Sequence, residues 1–281
     1  MSLCSLTKSF TNYKRYDIIK NYKEGMDMPK FFVKNEQINN DKITIIGEDV
    51  NHIKNVLRLK IDDNIQVCNV DTSMNYTCVI SNINNENIEC IIFDKINSMC
   101  ESNIDINIFQ GLPKADKMEL IVQKSVELGV HEITPVEMKR CVVKIEEKSK
   151  SKKIERWQKI SEVAAKQSGR DIIPKINNIT NIKNICNSIA NYDIVLLAYE
   201  NEEKNTLKNE LLKIKEKTNK KLNIGIIIGP EGGIDTEEVE MLQKSGAKVI
   251  TLGKRILRTE TVALAMTSII MYELENLGGN I

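Results

Sequence analysis

The sequence predicts an α/β protein, in which a small β-barrel domain precedes a larger domain built on a mostly parallel sheet. Residues 28–100 show short alternating strands separated by Asn and Asp turns. From about residue 101 onward, strands alternate with amphipathic helices, the pattern of a parallel sheet with helices on both faces. The change of hydrophobic period places the boundary near residues 97–103, so that the second domain covers residues 101–281.

The first domain is predicted from its strands and one helix. Residues 1–27 are basic, rich in Tyr and Asn and without a sustained apolar period, which predicts a disordered tail. The predicted strands are Phe31–Val33, Lys42–Ile46, Asn64–Val70, Tyr76–Asn82 and Ile88–Phe93. A helix capped by Asp49 runs through residues 52–59. This composition indicates a closed or partly closed barrel, because closure removes exposed strand edges.

The second domain reads as successive strand and helix units. Its predicted strands are Ile104–Gln110, Ile133–Met138, Asp193–Ala198, Ile224–Ile228 and Lys248–Leu252. Five helices are predicted in this domain. The first runs from the Asp116 cap to Gly129, the second covers Ser151–Ser168, and the third covers Glu202–Lys217. The fourth runs from the Asp235 cap to Ser245, and the last follows residue 261. Trp157 lies in register with the apolar stripe of its helix, which predicts a core position.

Two glycine turns follow the last two predicted strands. Gly229–Gly233 ends the first strand and Gly253 opens the segment after the second. We expect these turns to lie side by side at the carboxyl edge of the sheet, where open α/β folds bind ligands. The Asp235–Glu238 spacing is typical of a capping box. The GPEGG sequence matches neither the phosphate loop nor the dinucleotide fingerprint, and taken alone it is better interpreted as a tight structural turn.

Composition excludes several classes of protein. Seven scattered cysteines without CxxC spacing and only two histidines support neither a disulfide framework nor a metal site. No apolar run is long enough to cross a membrane and no signal peptide is visible, so we expect a cytoplasmic protein. Residues 139–175 carry twelve Lys or Arg against five Asp or Glu, which indicates a polyanionic partner.

Three basic segments define a candidate groove for that partner. They are residues 111–120, 140–144 and 164–170, each placed near the end of a strand or helix. Any one of them is compatible with an ordinary solvated surface. Because all three follow segments of the same predicted sheet, we interpret the set as a polyanion-binding groove.

Several motifs together resemble one family. They are MPKFF at 28–32, HIKNVLRL at 52–59, LPKADKMELIVQKSVELGV at 112–130, RCVVK at 140–144, RWQKISEVAAKQSGR at 156–170, IGPEGG at 228–233 and LGKRILRTET at 252–261. In order and spacing they resemble the RsmE-type family of small-subunit (16S) ribosomal RNA uridine-N3 methyltransferases. The resemblance implies a PUA-like RNA-binding barrel, a SPOUT-type methyltransferase domain with a C-terminal trefoil knot, S-adenosylmethionine as methyl donor, a homodimer, and 16S ribosomal RNA within the small subunit as substrate.

The resemblance also implies site residues. The cofactor pocket falls on Leu197, Ala198, Gly229, Glu231, Gly232, Leu252, Gly253, Ile256, Leu257, Arg258 and Thr261. The RNA groove falls on Lys30, Lys114, Lys117, Arg140, Lys166, Gln167 and Arg170. The sequence departs from the family pattern at three positions, with Lys30 in place of Arg, Ala115 in place of Gly and Cys141 in place of Ser or Thr.

The implied reaction requires an unpaired or flipped uridine, because N3 lies on the Watson–Crick edge. We expect Arg258, Arg170 or Arg140 to stabilise the anionic uracil through its O2 or O4 oxygen. The general base stays unassigned. Three alternatives remain open from the sequence: a SPOUT enzyme acting on another RNA such as tRNA, a non-catalytic PUA-type assembly factor, and a generic nucleotide-binding protein, which the absent phosphate-loop lysine disfavours.

Overall fold

The computed structural model describes residues 28–96, 100–215 and 221–274. The chain divides into two compact units, with the division between Cys100 and Glu101. The tail predicted at residues 1–27 lies outside the described residues. Within them, no helix is long and apolar enough to cross a membrane.

The first unit is a six-stranded half-barrel. Its strands are β1 (Lys30–Val33), β2 (Ile38–Asn39), β3 (Lys42–Ile46), β4 (Asn64–Asn69), β5 (Asn75–Ile83) and β6 (Asn87–Ile96), in the order β1-β4-β5-β6-β3-β2. β1 pairs with β4 in parallel and the other pairs are antiparallel. Alternate residues such as Ile43, Ile45, Ile65 and Val67 are fully buried and fill the core of this unit.

The helix of this unit differs from its prediction. Helix α1 (Glu48–Asn51) begins after Gly47, and Asp49 lies inside its first turn. The segment His52–Val56 then continues as a π-helical turn, so the helix ends before residue 59. The prediction that Asp49 caps the helix was wrong, because Gly47 with φ +78° makes the bend that starts it.

The second unit contains a fully parallel sheet. Its strands are β7 (Ile104–Gly111), β8 (Glu132–Glu137), β9 (Lys175–Ile176), β10 (Thr180–Asn181), β11 (Ile194–Ala198), β12 (Leu222–Ile228) and β13 (Lys248–Ile250). The order is β10-β8-β7-β12-β11-β13, with β9 also paired to β8. β12 is buried on both faces, as its continuous run of β-branched residues predicts.

Helices cover both faces of this sheet. They are α2 (Lys117–Glu127), α3 (Glu147–Gln167), α4 (Ile182–Ser188), α5 (Leu207–Lys215), α6 (Thr236–Lys244) and α7 (Thr259–Leu274). One face packs against α4 and α6 through Val195, Leu197 and Ile227, and α7 contacts β7 and β12. Helix α3 begins four residues earlier than predicted, in a charged segment that gave no apolar signal, and Trp157 is buried as expected.

The strand order corrects one expectation. β12 and β13 do not lie side by side, since β11 pairs with both of them. The two glycine turns therefore flank the end of β11. The loop after β11 becomes part of the same edge of the sheet.

Candidate functional site

The loops after β11, β12 and β13 enclose a cavity of about 1080 Å³ at the carboxyl edge of the parallel sheet. Three segments make most of its wall: residues 198–206, 228–234 and 251–259, with Lys117 and Val262 beside them. This volume suits a ligand of nucleoside size with an appended chain. The sheet thus brings together loops that lie up to about 60 residues apart in sequence, as parallel strands do at the ligand-binding edge of open α/β folds.

The first wall is the glycine turn after β12. Gly233 has φ +71°, and its amide donates to the Pro230 carbonyl at 2.9 Å. A Cβ at Gly233 would overlap Oε1 of Glu200 from the neighbouring loop. A Cβ at Gly111, the last residue of β7, would lie 2.7 Å from Cδ of Pro230. The absence of a side chain at Gly111 lets β7 approach the turn after β12, and its absence at Gly233 leaves room for the Glu200 side chain.

Thr259, the first residue of α7, connects the glycine turn after β12 to the segment between β13 and α7, which forms another wall of the cavity. Its hydroxyl donates to the Gly229 carbonyl at 2.7 Å and accepts from Nε2 of Gln110 at 2.9 Å. Gln110 is fully buried and Thr259 is 5% exposed. A buried chain of hydrogen bonds of this kind fixes the relative positions of the segments that it joins.

Glu231 anchors the outer part of the glycine turn. Its carboxylate accepts from the backbone amide of Lys114 at 3.1 Å and pairs with Nζ of Lys117 at 3.0 Å. Lys117 also pairs with Glu260 of α7 at 3.2 Å. Partial burial acts to raise the pKa of Glu231, but the amides of Glu231 and Lys114 and the Lys117 ammonium outweigh it and hold the pKa below 4.5. The hydrogen bond to Glu231, with a smaller contribution from Glu260, raises the pKa of Lys117 above 10.5.

The third wall is the segment between β13 and α7. Gly253 has φ +104°, and its amide donates to the Thr251 hydroxyl at 3.2 Å. Ile256 is 89% exposed and Arg258 is also exposed. Among the residues that the structure describes, the Arg258 guanidinium has no hydrogen-bond or ion-pair partner. Arg258 is therefore a cation on the cavity wall that is available to a ligand.

Arg140 lies against the outer side of the glycine turn. Its Nη1 donates to the Gly232 carbonyl at 3.4 Å, and a Cβ at Gly232 would lie 3.1 Å from the Arg140 carbonyl oxygen. The segment is held by Glu238 of α6, whose Oε1 accepts from the Lys139 amide at 2.9 Å. Glu238 is buried. The prediction that Glu238 completes a capping box with Asp235 was wrong, because its carboxylate binds the distant Lys139 amide. Asp235 does cap α6, by accepting from the Glu237 amide.

Two family models match the chain. Residues 100–271 match the RNA methyltransferase domain, and residues 45–93 match the RNA methyltransferase PUA domain. The chain is 36% identical over 237 residues to ribosomal RNA small subunit methyltransferase E of Bacillus subtilis, covering 84% of this chain and 92% of that protein. The protein of the same name from Mesomycoplasma hyopneumoniae is 33% identical, with 84% and 96% covered.

The chain belongs to the ribosomal RNA small subunit methyltransferase E family. A crystal structure of the Neisseria gonorrhoeae member bound to S-adenosyl methionine superimposes with a TM-score of 0.75 at 28% identity. The alignment covers 88% of this chain and 98% of that one. The family and the fold predicted from the sequence motifs are thereby confirmed at the level of a PUA-like half-barrel followed by a parallel α/β domain.

The family resemblance assigns eleven residues to the cofactor, and the structure places most of them on the cavity wall. These are Ala198, Gly229, Glu231, Gly232, Leu252, Gly253, Ile256, Leu257 and Arg258. The side chain of Leu197 is fully buried in the core beneath the wall, so that only its backbone is left for the assigned contact. Thr261 is exposed and lies outside the lining. Thr259, two residues earlier, is in the lining.

The residues that the family resemblance assigns to RNA binding are dispersed. Lys30 lies in β1 of the first unit, and Lys114 is exposed beside the glycine turn. Lys117 faces the cavity and holds Glu231 and Glu260, so it is a wall residue of the second unit. Lys166 and Gln167 end α3, where Lys166 pairs with Glu162 at 3.0 Å and Gln167 is exposed.

Arg170 does not fit the predicted role. It is 5% exposed, pairs with Glu101 at 2.6 Å, and donates to the carbonyls of Val126 and Val130 at 3.1 and 2.6 Å. Glu101 precedes β7, and Val126 lies at the end of α2, so this cluster sits at the amino edge of the sheet. The cavity lies at the opposite edge. The expectation of a catalytic or RNA contact was wrong, because Arg170 closes the interior of the domain.

The departure at Ala115 has a structural consequence. Ala115 adopts φ +52°, a left-handed conformation that glycine adopts without steric cost. The chain therefore keeps the conformation that the family glycine permits, although it carries a side chain there.

Among the described residues no group of three His, Cys, Asp or Glu could hold a metal ion.

Proposed function

We propose that this protein transfers the methyl group of S-adenosylmethionine to N3 of a specific uridine in 16S ribosomal RNA, within the small ribosomal subunit. The observation that carries the proposal is the cavity at the carboxyl edge of the sheet, whose walls are the glycine turn, the loop after β11 and the segment before α7. Membership of a ribosomal RNA methyltransferase family supports the RNA substrate. Acting on the ribosome would place the enzyme in the cytoplasm.

The residues of the cavity fit S-adenosylmethionine. Gly253 has open space where a Cβ would stand, so that a flat adenine can approach the backbone closely there. Leu252, Ile256 and Leu257 supply apolar contact. When bound, the cofactor supplies an electrophilic methyl group on sulfonium sulfur. The relative bound to S-adenosyl methionine supports the same ligand here.

Arg258 is the side chain that we assign to the chemistry. Transfer requires loss of the proton on uracil N3, and the negative charge that results spreads to O2 and O4. An exposed guanidinium on the wall can donate to one of these oxygens and favour the anion, as preorganised donors do in other active sites. Arg140, fixed against Gly232, would place a second cation beside the entrance. The new bond joins N3 to the methyl carbon as the carbon–sulfur bond breaks.

The two units would divide the work. We propose that residues 28–100 form a PUA-like RNA-binding domain and that residues 101–281 form the SPOUT methyltransferase domain. The exposed cations Lys114 and Arg140 flank the cavity segments, and Lys30, Lys166 and Gln167 would add contacts to the RNA backbone. We retain these five as the proposed RNA-binding set. Lys117 is left out because it pairs with both Glu231 and Glu260, and Arg170 because it is buried.

The trefoil knot and the homodimer are further parts of the proposal. β12 lies between β7 and β11, and the chain that leaves β13 returns to bond the Gly229 carbonyl through Thr259, as a threaded segment requires. Helix α7 is apolar around most of its circumference, and it exposes Ile269 and the 78% accessible side chain of Tyr272. An apolar helix that remains exposed in a single chain supports an interface with a second copy.

Single-turnover methylation tests the assignment of Arg258. Purified small-subunit particles that lack the modification would be incubated with labelled S-adenosylmethionine, followed by nucleoside analysis. Arg258→Ala should abolish transfer while the urea unfolding midpoint stays unchanged, since the side chain is exposed and unpaired among the described residues. Lys244→Ala on α6, an exposed cation away from the cavity, is the matched control. An unchanged rate for Arg258→Ala would remove the assignment.

The same materials test the function itself. Labelled 3-methyluridine in 16S ribosomal RNA is the expected product. Label in transfer RNA alone would point to a different RNA substrate. A protein that binds the RNA but gives no heat with S-adenosylmethionine in calorimetry would be a non-catalytic factor, and the proposal would fail.

A further inference from the structure

The carboxylates of the cavity wall are not equivalent. Glu231 pairs with Lys117, and Glu202 accepts from the amides of Lys204 and Asn205 at 2.8 and 2.9 Å. Glu200 lines the same cavity, and within the described part of the chain its side chain has no hydrogen-bond or ion-pair partner. Glu200 is therefore an acceptor that faces the ligand space without an internal role.

The loop that carries Glu200 is held in place. The Tyr199 amide donates to the Ile250 carbonyl at 3.1 Å, and the Tyr199 carbonyl accepts from the Glu202 amide at 3.2 Å. The Glu202 carboxylate then fixes the following turn by accepting from the amides of Lys204 and Asn205. Glu200 thus lies on a segment braced on both sides, which limits the entropy lost when it binds a ligand.

The glycine turn sets the position of the Glu200 carboxylate. Its Oε1 lies against Gly233, at the place that a Cβ would occupy. The carboxylate therefore lies between the end of β11 and the turn after β12. A ligand bound by both loops would lie next to it. Any side chain at residue 233 would displace it.

We propose that Glu200 binds the 2′ and 3′ hydroxyls of the ribose of S-adenosylmethionine, an inference that rests on the proposed function. A carboxylate offers two acceptor oxygens, and a ribose diol offers two adjacent donors at matching separation. Acidic side chains at strand ends serve the same diol in dinucleotide-binding folds.

The charges of the wall favour the ribose over the amino-acid end of the cofactor. Lys254 and Arg255 lie on the segment after β13, where their charges would attract the carboxylate of the methionine moiety. The ammonium is bonded to the same carbon as that carboxylate, so both groups lie at the same end. Glu200 is placed against the glycine turn, on the β12 side of the cavity, which leaves it to the sugar.

Calorimetry with wild-type full-length protein and two ligands tests this assignment. The ligands are S-adenosylmethionine and 5′-methylthioadenosine, which keeps the adenine and ribose but lacks the amino-acid end. Glu200→Gln removes the charge at constant shape and should weaken both ligands by about 10- to 100-fold, as expected for charge-assisted hydrogen bonds. Glu200→Asp, which keeps the charge, should recover part of the loss. The urea unfolding midpoint of each variant reports that it is folded.

A 2′-deoxy analogue of 5′-methylthioadenosine completes the test. Removal of the hydroxyl should weaken binding to the wild type more than binding to Glu200→Gln, because glutamine keeps one neutral acceptor and the charged one is already gone. Glu203→Gln removes an equal charge from the same wall. An equal loss in that variant would overturn the inference, since only the general potential would matter.

Two other outcomes would also overturn it. If Glu200→Gln weakens S-adenosylmethionine and leaves 5′-methylthioadenosine unchanged, Glu200 binds the ammonium and not the ribose. If both affinities are unchanged, Glu200 does not contact the cofactor. The absence of S-adenosylmethionine binding to the wild type is a different result, which would contradict the proposed function itself.

Discussion

Thr259 and Gly229 lie thirty positions apart, and the Thr259 hydroxyl donates to the Gly229 carbonyl at 2.7 Å. The same hydroxyl accepts from Gln110 at the end of β7. One buried side chain thus connects the strand that opens the parallel sheet, the glycine turn and the first turn of α7. The shape of the cavity depends on the relative positions of these three segments.

Thr259→Val should therefore weaken both the fold and the pocket. Valine has nearly the same volume but no hydroxyl, so the Gly229 carbonyl loses its donor and Gln110 loses an acceptor. Leaving such buried groups unpaired costs about 1–3 kcal/mol. Urea unfolding measures this loss, and calorimetry with S-adenosylmethionine should show weaker binding. Thr236→Val, at an exposed position of α6, is the control. Equal stability of the two variants would contradict the role of the hydrogen bonds.

Ala115→Gly should stabilise the protein. At φ +52° the alanine side chain costs roughly 1–2 kcal/mol, whereas glycine adopts this conformation freely. The greater freedom of glycine in the unfolded chain subtracts up to about 1 kcal/mol, so the net gain is small but positive. Ala190→Gly, in an exposed 3-10 turn, carries only the unfavourable contribution and should destabilise. Thermal unfolding of the two variants should shift in opposite directions, and a shift of the same sign would refute the argument.

Local patterns were enough to predict most of the secondary structure. The alternation in β1 and β3, the continuous apolar run of β12 and the Asp235 cap of α6 each depend on neighbouring residues only. The two-residue strands β9 and β10 were missed because two residues carry no period. The start of α3 was missed because its first turn holds charged and polar residues and no apolar one.

Contacts between distant segments could not be predicted in the same way. Nothing in the local sequence indicates that β11 lies between β12 and β13, or that Glu238 binds the amide of Lys139, 99 positions away. The glycines of the wall were recognisable because they interrupt apolar strands. Thr259 and Lys117 were not predicted as wall residues, since the groups that they bind lie in other segments. Glu200 was not predicted either, because nothing in the sequence around it marks a ligand contact.

The stability of the protein in acid should depend on Glu231. Its pKa is held below 4.5 in the folded state, so the carboxylate contributes stability above the pKa of the unfolded chain. That contribution to stability is lost as the pH falls below 4.5 and passes through the pKa that Glu231 has in the folded protein. Glu231→Gln should flatten the fall of the urea midpoint in this acidic range. Glu240→Gln removes an exposed carboxylate of α6 and should leave the wild-type slope. Identical slopes for wild type and Glu231→Gln would contradict the prediction.

Arg170→Met should destabilise the protein strongly, because Arg170 has a structural role at the amino edge of the sheet. Its removal leaves the Glu101 carboxylate without its guanidinium and the carbonyls of Val126 and Val130 without donors. Breaking a buried pair in this way costs about 3–5 kcal/mol. Urea unfolding at neutral pH measures the loss directly.

Arg156→Met is the matched control, since Arg156 forms an ion pair with Glu119 on the surface, with its own side chain 59% exposed. Such pairs contribute about 0–1 kcal/mol, so this variant should unfold close to the wild type. The difference between the two variants isolates burial as the cause, because each removes one arginine and one carboxylate contact. Wild-type stability in Arg170→Met combined with loss of methyl transfer would contradict the structural role and return Arg170 to the reaction.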